Sequence, residues 1–195
     1  MSVRLRLLVV FLLVGVCPLR AQDPVWVRDW EAAQRERPAH LTSQSRITPG
    51  NEPGEPLVVQ GRVFLPDGVT PAVGVVVFAY HTDAKGLYHP AGKAGWRLRG
   101  WAVTDKEGAF AFRTIRPASY PGRTVPAHIH CTVSGGQVAR QWTEELRFDD
   151  DPLVSAEERE RSRAEGKFGN VRPVQRQGKT QQVDFNIRAK AQKEF

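Results

Sequence analysis

The chain has 195 residues, 41% hydrophobic and 25% charged, which suits one domain with a substantial core. Its formal charge of +7 is spread along the chain without a basic cluster, which argues against nucleic-acid binding. Seventeen glycines and 14 prolines suit a loop-rich all-β domain, and two cysteines leave little room for a disulfide framework.

Residues 1–21 read as a secretory signal peptide. Arg4 and Arg6 form a basic start, residues 7–16 are an apolar run too short to span a bilayer, and Ala21 offers a small residue at a cleavage point. The arginines are not adjacent, so a twin-arginine signal is not indicated. Val16 before Cys17 is bulkier than the residue a lipoprotein signal usually places there, so lipid anchoring at Cys17 is a minor option. Without this segment the charge falls to +4, one cysteine (Cys131) remains, and no membrane span is expected. The expected location is secreted or periplasmic, where a chain without disulfides relies on packing and on any metal it holds. Cys131 reads as a small buried hydrophobe.

Residues 22–56 read as an N-terminal arm, with Asp29 capping a short helix through Arg37 and Pro38 stopping it. The sandwich domain is placed at residues 57–195. Strands are expected at 57–65, 73–81, 96–104, 109–114, 127–134, 142–148 and 181–187, separated by turns such as Pro66-Asp67-Gly68 and Asp105-Lys106-Glu107-Gly108. Seven to eight short strands at this spacing predict an all-β fold, a β-sandwich with short peripheral helices. An excursion over 149–180 interrupts them. Ser155-Ala-Glu-Glu158 has capping-box form, Gly166 ends the helix that follows, and residues 168–173 return as a loop. The Asp149–Asp151 run reads as a solvated turn, because it lacks the spacing of a calcium loop.

His128-Ile129-His130 carries the chemistry. On a strand both histidines face one side, with Cα atoms about 6.6 Å apart, so their rings can meet at one ion. The pair alone suits zinc, copper or iron, or ordinary hydrogen bonding. Tyr88 and Tyr120 shift the balance, because each lies just past a turn where a packing tyrosine is unexpected. Tyr80, inside an apolar strand, reads as core. A phenol titrates near pH 10, so a tyrosinate needs a strong Lewis acid beside it, and two hard anionic oxygens favour Fe(III). His81 and His89 flank the Tyr88 loop and read as solvated. Trp96 could stack on an aromatic ligand, and Trp101 reads as core.

Residues 57–152 resemble the intradiol ring-cleavage dioxygenases, the family of protocatechuate 3,4-dioxygenase and catechol 1,2-dioxygenase. The likeness is carried by Asp83-Ala-Lys-Gly-Leu-Tyr88, the stretch from Arg99-Gly100 through Thr104-Asp105 to Pro117, Tyr120-Pro-Gly-Arg123, Pro126-Ala-His-Ile-His130, and Leu146 to Pro152. It implies a transthyretin-like sandwich holding one Fe(3+) per chain through Tyr88, Tyr120, His128 and His130. It also implies a catecholic substrate cleaved with O2 between its hydroxylated carbons to a muconate-type diacid, with no external reductant. Tyr120 is then the ligand that leaves iron and takes a substrate proton, and Arg123 approaches the substrate. The chain departs from the family at Val125, where an arginine is frequent, and at Glu145, where some members have glutamine. The arm before residue 57 is short, so the helical dimerisation domain of the catechol enzymes is not expected there; a homo-oligomer remains compatible with the sequence. The rival reading is a non-catalytic transthyretin-like module that binds an aromatic or a metal, which Val125 and Glu145 favour. A structural domain with a fortuitous His-x-His comes third.

Overall fold

The computed structural model describes residues 23–91 and 93–195, so the expected signal peptide and Cys17 lie outside the described residues. Two six-stranded sheets form a β-sandwich. In the first, β1 (Gln44–Arg46), β5 (Ala109–Ile115), β2 (Pro56–Phe64), β11 (Thr180–Asp184) and β10 (Gln175–Gln177) lie side by side, and β12 (Ile187–Arg188) also pairs with β2. In the second the order is β4 (Leu98–Val103), β3 (Val76–His81), β6 (His128–Gly135), β8 (Leu146–Phe148) and β9 (Val171–Arg172), with β7 (Val138–Trp142) also on β6.

Alternation along each strand decides the core. Leu57, Val59, Phe110, Phe112 and Val183 from one sheet meet Val77, Ala79, Ile129, Cys131 and Val133 from the other. Burying each large apolar side chain contributes about 1.5–3 kcal/mol. Ile129 and Cys131 are core residues, so the histidines beside them point to the outer face of the second sheet. Burial pushes the Cys131 thiol up to about 12, in keeping with an inert core residue.

That outer face carries a second cluster. Phe78 and Tyr80 of β3 pack with Trp96, Trp30 and Ala33. The last two come from α1 (Pro24–Arg35), whose apolar positions recur at helical spacing. Its cap is Asp23, which accepts from the Val25 amide at 2.9 Å, with proline in the first turn. The cap expected at Asp29 is corrected: Asp29 lies inside the helix and pairs with Arg28. The Asp-Pro step outcompetes it, because Pro24 has no N–H to satisfy and a fixed helical φ.

Other expectations are corrected by the pairing. A single strand over 142–148 does not form. β7 pairs with the far half of β6 and β8 with the near half, and the chain jogs between them at residues 143–145. The arm contributes β1, parallel to β5, and the return after residue 168 contributes β9 and β10. The helix α2 (Ala156–Ala164) forms as expected, with the Ser155–Glu158 capping box complete and Gly166 at φ +60°. Among the described residues no helix is long and apolar enough to cross a membrane.

Candidate metal centre

β6 supplies both histidines, and two loops supply the tyrosines. The Tyr88 loop is folded by Asp83, whose carboxylate accepts from the amides of Lys85 and Leu87 at 2.8 and 3.0 Å. It is tied to the Tyr120 loop by the Thr82 hydroxyl, which donates to the Ala118 carbonyl at 2.6 Å, and by the Ala118 amide, which donates to the Asp83 carbonyl at 3.1 Å. Gly86 lies against Ser119 so closely that a Cβ there would fall 2.0 Å from the Ser119 carbonyl oxygen. The two tyrosine loops therefore move as one piece.

The four side chains meet in a closed ring. Tyr88 Oη is 2.5 Å from Tyr120 Oη, which is 3.0 Å from His128 Nε2. His128 Nε2 is 3.0 Å from His130 Nε2, which is 2.9 Å from Tyr88 Oη. The acceptors beside the outer nitrogens favour a proton on each Nδ1. His128 Nδ1–H donates to the Pro126 carbonyl at 2.7 Å, and His130 Nδ1 faces Glu145 Oε1 at 3.4 Å. Both Nε2 atoms are then bare lone pairs pointing at each other. Two phenol protons cannot bridge four edges, so two edges of the ring hold facing lone pairs.

A cation inside the ring removes that conflict. Donors at right angles on an ion with bonds of about 2.0–2.1 Å stand about 2.9 Å apart, close to the spacing seen. Without a cation, burial raises both phenols, and the bond from Tyr120 raises Tyr88 further. Burial pushes His130 down to about 4, with His128 adding to the effect, so the imidazole is neutral and available as a donor. Ionising the phenols in this pocket requires a strong Lewis acid, and two phenolates with two imidazoles fit a ferric ion.

All four expected ligands are thus brought together. Glu145 joins them: its carboxylate and the His128 and His130 nitrogens lie within 4.8 Å of one another. Arg123 is exposed on the turn after Tyr120 and donates its amide to the Tyr120 carbonyl at 3.1 Å. Val125 is partly buried between that turn and His128.

Sequence reading missed three supports. Tyr80, opposite His130 in the β3–β6 register, stacks on the His130 ring at 4.7 Å and 15°, and accepts from Trp26 Nε1 at 2.8 Å. Its strand is apolar on both faces, the one signal that a second layer would cover it. Asp151, expected in a solvated turn, is buried, and its carboxylate accepts from the Ala127 amide at 2.8 Å, one residue before His128. His81, expected in solvent, is fully buried, because β3 continues through it and turns its ring toward Thr114. His89 lies apart from the ring of donors and contacts the Pro90 carbonyl.

A β-sandwich presents two histidines from one strand and two tyrosines from adjoining loops, four donors at the spacing that one metal ion would take. The family model described as dioxygenase matches residues 31–191, and this chain belongs to the intradiol dioxygenase family. It is 35% identical over 132 residues to catechol 1,2-dioxygenase 1 of Acinetobacter lwoffii, a match covering 57% of this chain and 42% of that one. It is 30% identical over 128 residues to the protocatechuate 3,4-dioxygenase beta chain of Burkholderia cepacia, covering 60% and 54%. The chain spans about half the length of these curated relatives. Among solved structures it is similar to the dioxygenase domain of a dioxygenase carbohydrate-binding protein fusion from Streptomyces sp. SirexAA-E. That match has 25% identity and a TM-score of 0.58, covering 80% of this chain and 92% of that one.

Proposed function

We propose that this chain is an exported non-haem Fe(III) intradiol dioxygenase, which cleaves catechol-type rings with O2 between the hydroxylated carbons to give muconate-type diacids. One observation carries the reading: two imidazole lone pairs and two phenol oxygens close a ring with too few protons to hold it together. Tyr88, Tyr120, His128 and His130 hold the ion. When bound, the ferric ion supplies the Lewis acidity that keeps phenols ionised and makes a chelated catecholate reactive toward O2.

The protein's own groups do the rest. Tyr120 sits beside the exposed turn Pro121-Gly122-Arg123, so its phenol can swing out and take up a substrate proton. Tyr88 is held more firmly, since the Arg97 amide donates to its carbonyl at 2.9 Å and Tyr80 packs on its ring. Tyr80 and the Pro126 carbonyl keep the two imidazoles oriented. The Arg123 guanidinium favours a phenolate at Tyr120 and an anionic ring near it. Export is supported by Arg4, Arg6 and the apolar run 7–16. The second reading, a binding module without turnover, is favoured by the Glu145 carboxylate among the donors.

Purified protein should be burgundy from tyrosinate-to-iron charge transfer and should consume O2 with catechol. Tyr88→Phe and His130→Ala should each lose iron and colour. A colourless chain that refuses iron after reconstitution would sink the metal assignment, and a coloured chain inert toward every catechol would leave the binding module.

A further inference from the structure

Resting on the dioxygenase reading, we infer that the chain selects catechols whose ring substituent carries an ammonium group and rejects those bearing a carboxylate. A cavity of about 460 Å3 opens beside His130, lined by Trp142, Thr143, Glu144, Glu145, Arg147 and Asn170. That volume suits one substituted aromatic ring. Its walls are unevenly charged. Glu144 is exposed, and Glu145 lies 3.4 Å from His130 Nδ1.

The one cation of the lining is already committed. Arg147 Nη2 donates to Glu145 Oε2 at 3.0 Å, and Nη1 donates to Glu158, the capping-box residue of α2. Its Nε is buried from solvent. Two carboxylates, Glu144 and Glu145, therefore line the cavity against one guanidinium that Glu158 also holds from outside it, and Arg123 does not line this cavity. Trp142 adds an aromatic wall, its ring centroid 6.5 Å from that of His130. An aromatic face beside carboxylates attracts an ammonium group twice, through the ring quadrupole and through the field of the acids. The same field repels a second carboxylate on the substrate. A preference on the order of tenfold or more for the cationic ring follows.

The test uses three catechols substituted at the same ring position with the iron-loaded chain: 4-(2-aminoethyl)catechol, 4-methylcatechol and 3,4-dihydroxybenzoate. Anaerobic dissociation constants come from calorimetry, and kcat/KM from O2 uptake. The expected order in both is ammonium, then neutral, then carboxylate, with the spread shrinking in high salt and in Glu144→Gln. Glu145→Gln, measured by binding, should narrow it further. Binding of 4-methylcatechol with an equal or better response to 3,4-dihydroxybenzoate overturns this inference alone. Selectivity unchanged in both variants also overturns it. Failure of 4-methylcatechol to bind or react overturns the dioxygenase reading and the inference with it.

Discussion

Replacing Asp151 tests how the strand carrying both histidines is held. The residue is 6% exposed, and its carboxylate accepts two amides, Ala127 N–H through Oδ2 at 2.8 Å and Leu153 N–H through Oδ1 at 2.9 Å. Ala127 is itself buried, so in Asp151→Ala no water can reach its amide without opening the strand end. Leu153 is exposed, and its amide can turn to water. One buried bond to a charged acceptor is worth roughly 1.5–3 kcal/mol, and stranding the donor adds to the loss, so about 3 kcal/mol is expected. For a domain of this size that lowers Tm by roughly 6–12 °C. Asp151→Asn keeps one carbonyl acceptor and should cost about 1 kcal/mol. Urea denaturation of the metal-free chains reads the difference in midpoint at constant slope. If Asp151→Ala unfolds within about 0.5 kcal/mol of the parent, the carboxylate does not hold the strand end and the argument fails.

Two further outcomes are expected. Gly86→Ala, at φ +79° and with its new Cβ 2.0 Å from the Ser119 carbonyl oxygen, should force the tyrosine loops apart. Iron affinity should fall on the order of tenfold or more, read by metal content and visible absorption; unchanged iron binding would refute the coupling of the loops. His81 is fully buried, its Nδ1–H given to the Thr82 carbonyl and its Nε2 receiving the Thr114 hydroxyl, and burial pushes it down to about 4. The unfolded chain therefore binds the extra proton first. Stability should fall as pH drops from about 6.5 to 4, by up to roughly 3 kcal/mol. His130, also pushed down to about 4, loses stability over the same range, so His81→Phe should show a smaller acid loss than the parent wherever the variant folds; an identical acid profile in both chains would contradict the assignment.

Local patterns settled much of this protein. Alternation placed Ile129 and Cys131 in the core and both histidines on the opposite face, because side-chain direction along a strand has a period of two whatever surrounds it. Ser155 and Glu158 specified the start of α2, since a capping box is satisfied within four residues. Tyr88 and Tyr120 stood out in the sequence because each follows a turn, and the fold brings both phenols to His130 and His128.

Tertiary structure decided what depended on distant partners. Asp151 looks like a turn residue until Ala127, 24 positions earlier, brings it an amide to accept. His81 looks solvated until the facing sheet brings Thr114 of β5 to its ring. Tyr80 looks like packing until the register sets it against His130. The jog at residues 143–145 appears only when β7 and β8 divide β6 between them, and it is that jog that brings Glu145 to His128 and His130. A sequence carries the periodicity of each element in itself. Burial and field at a given side chain are sums over neighbours that only the closed fold assembles.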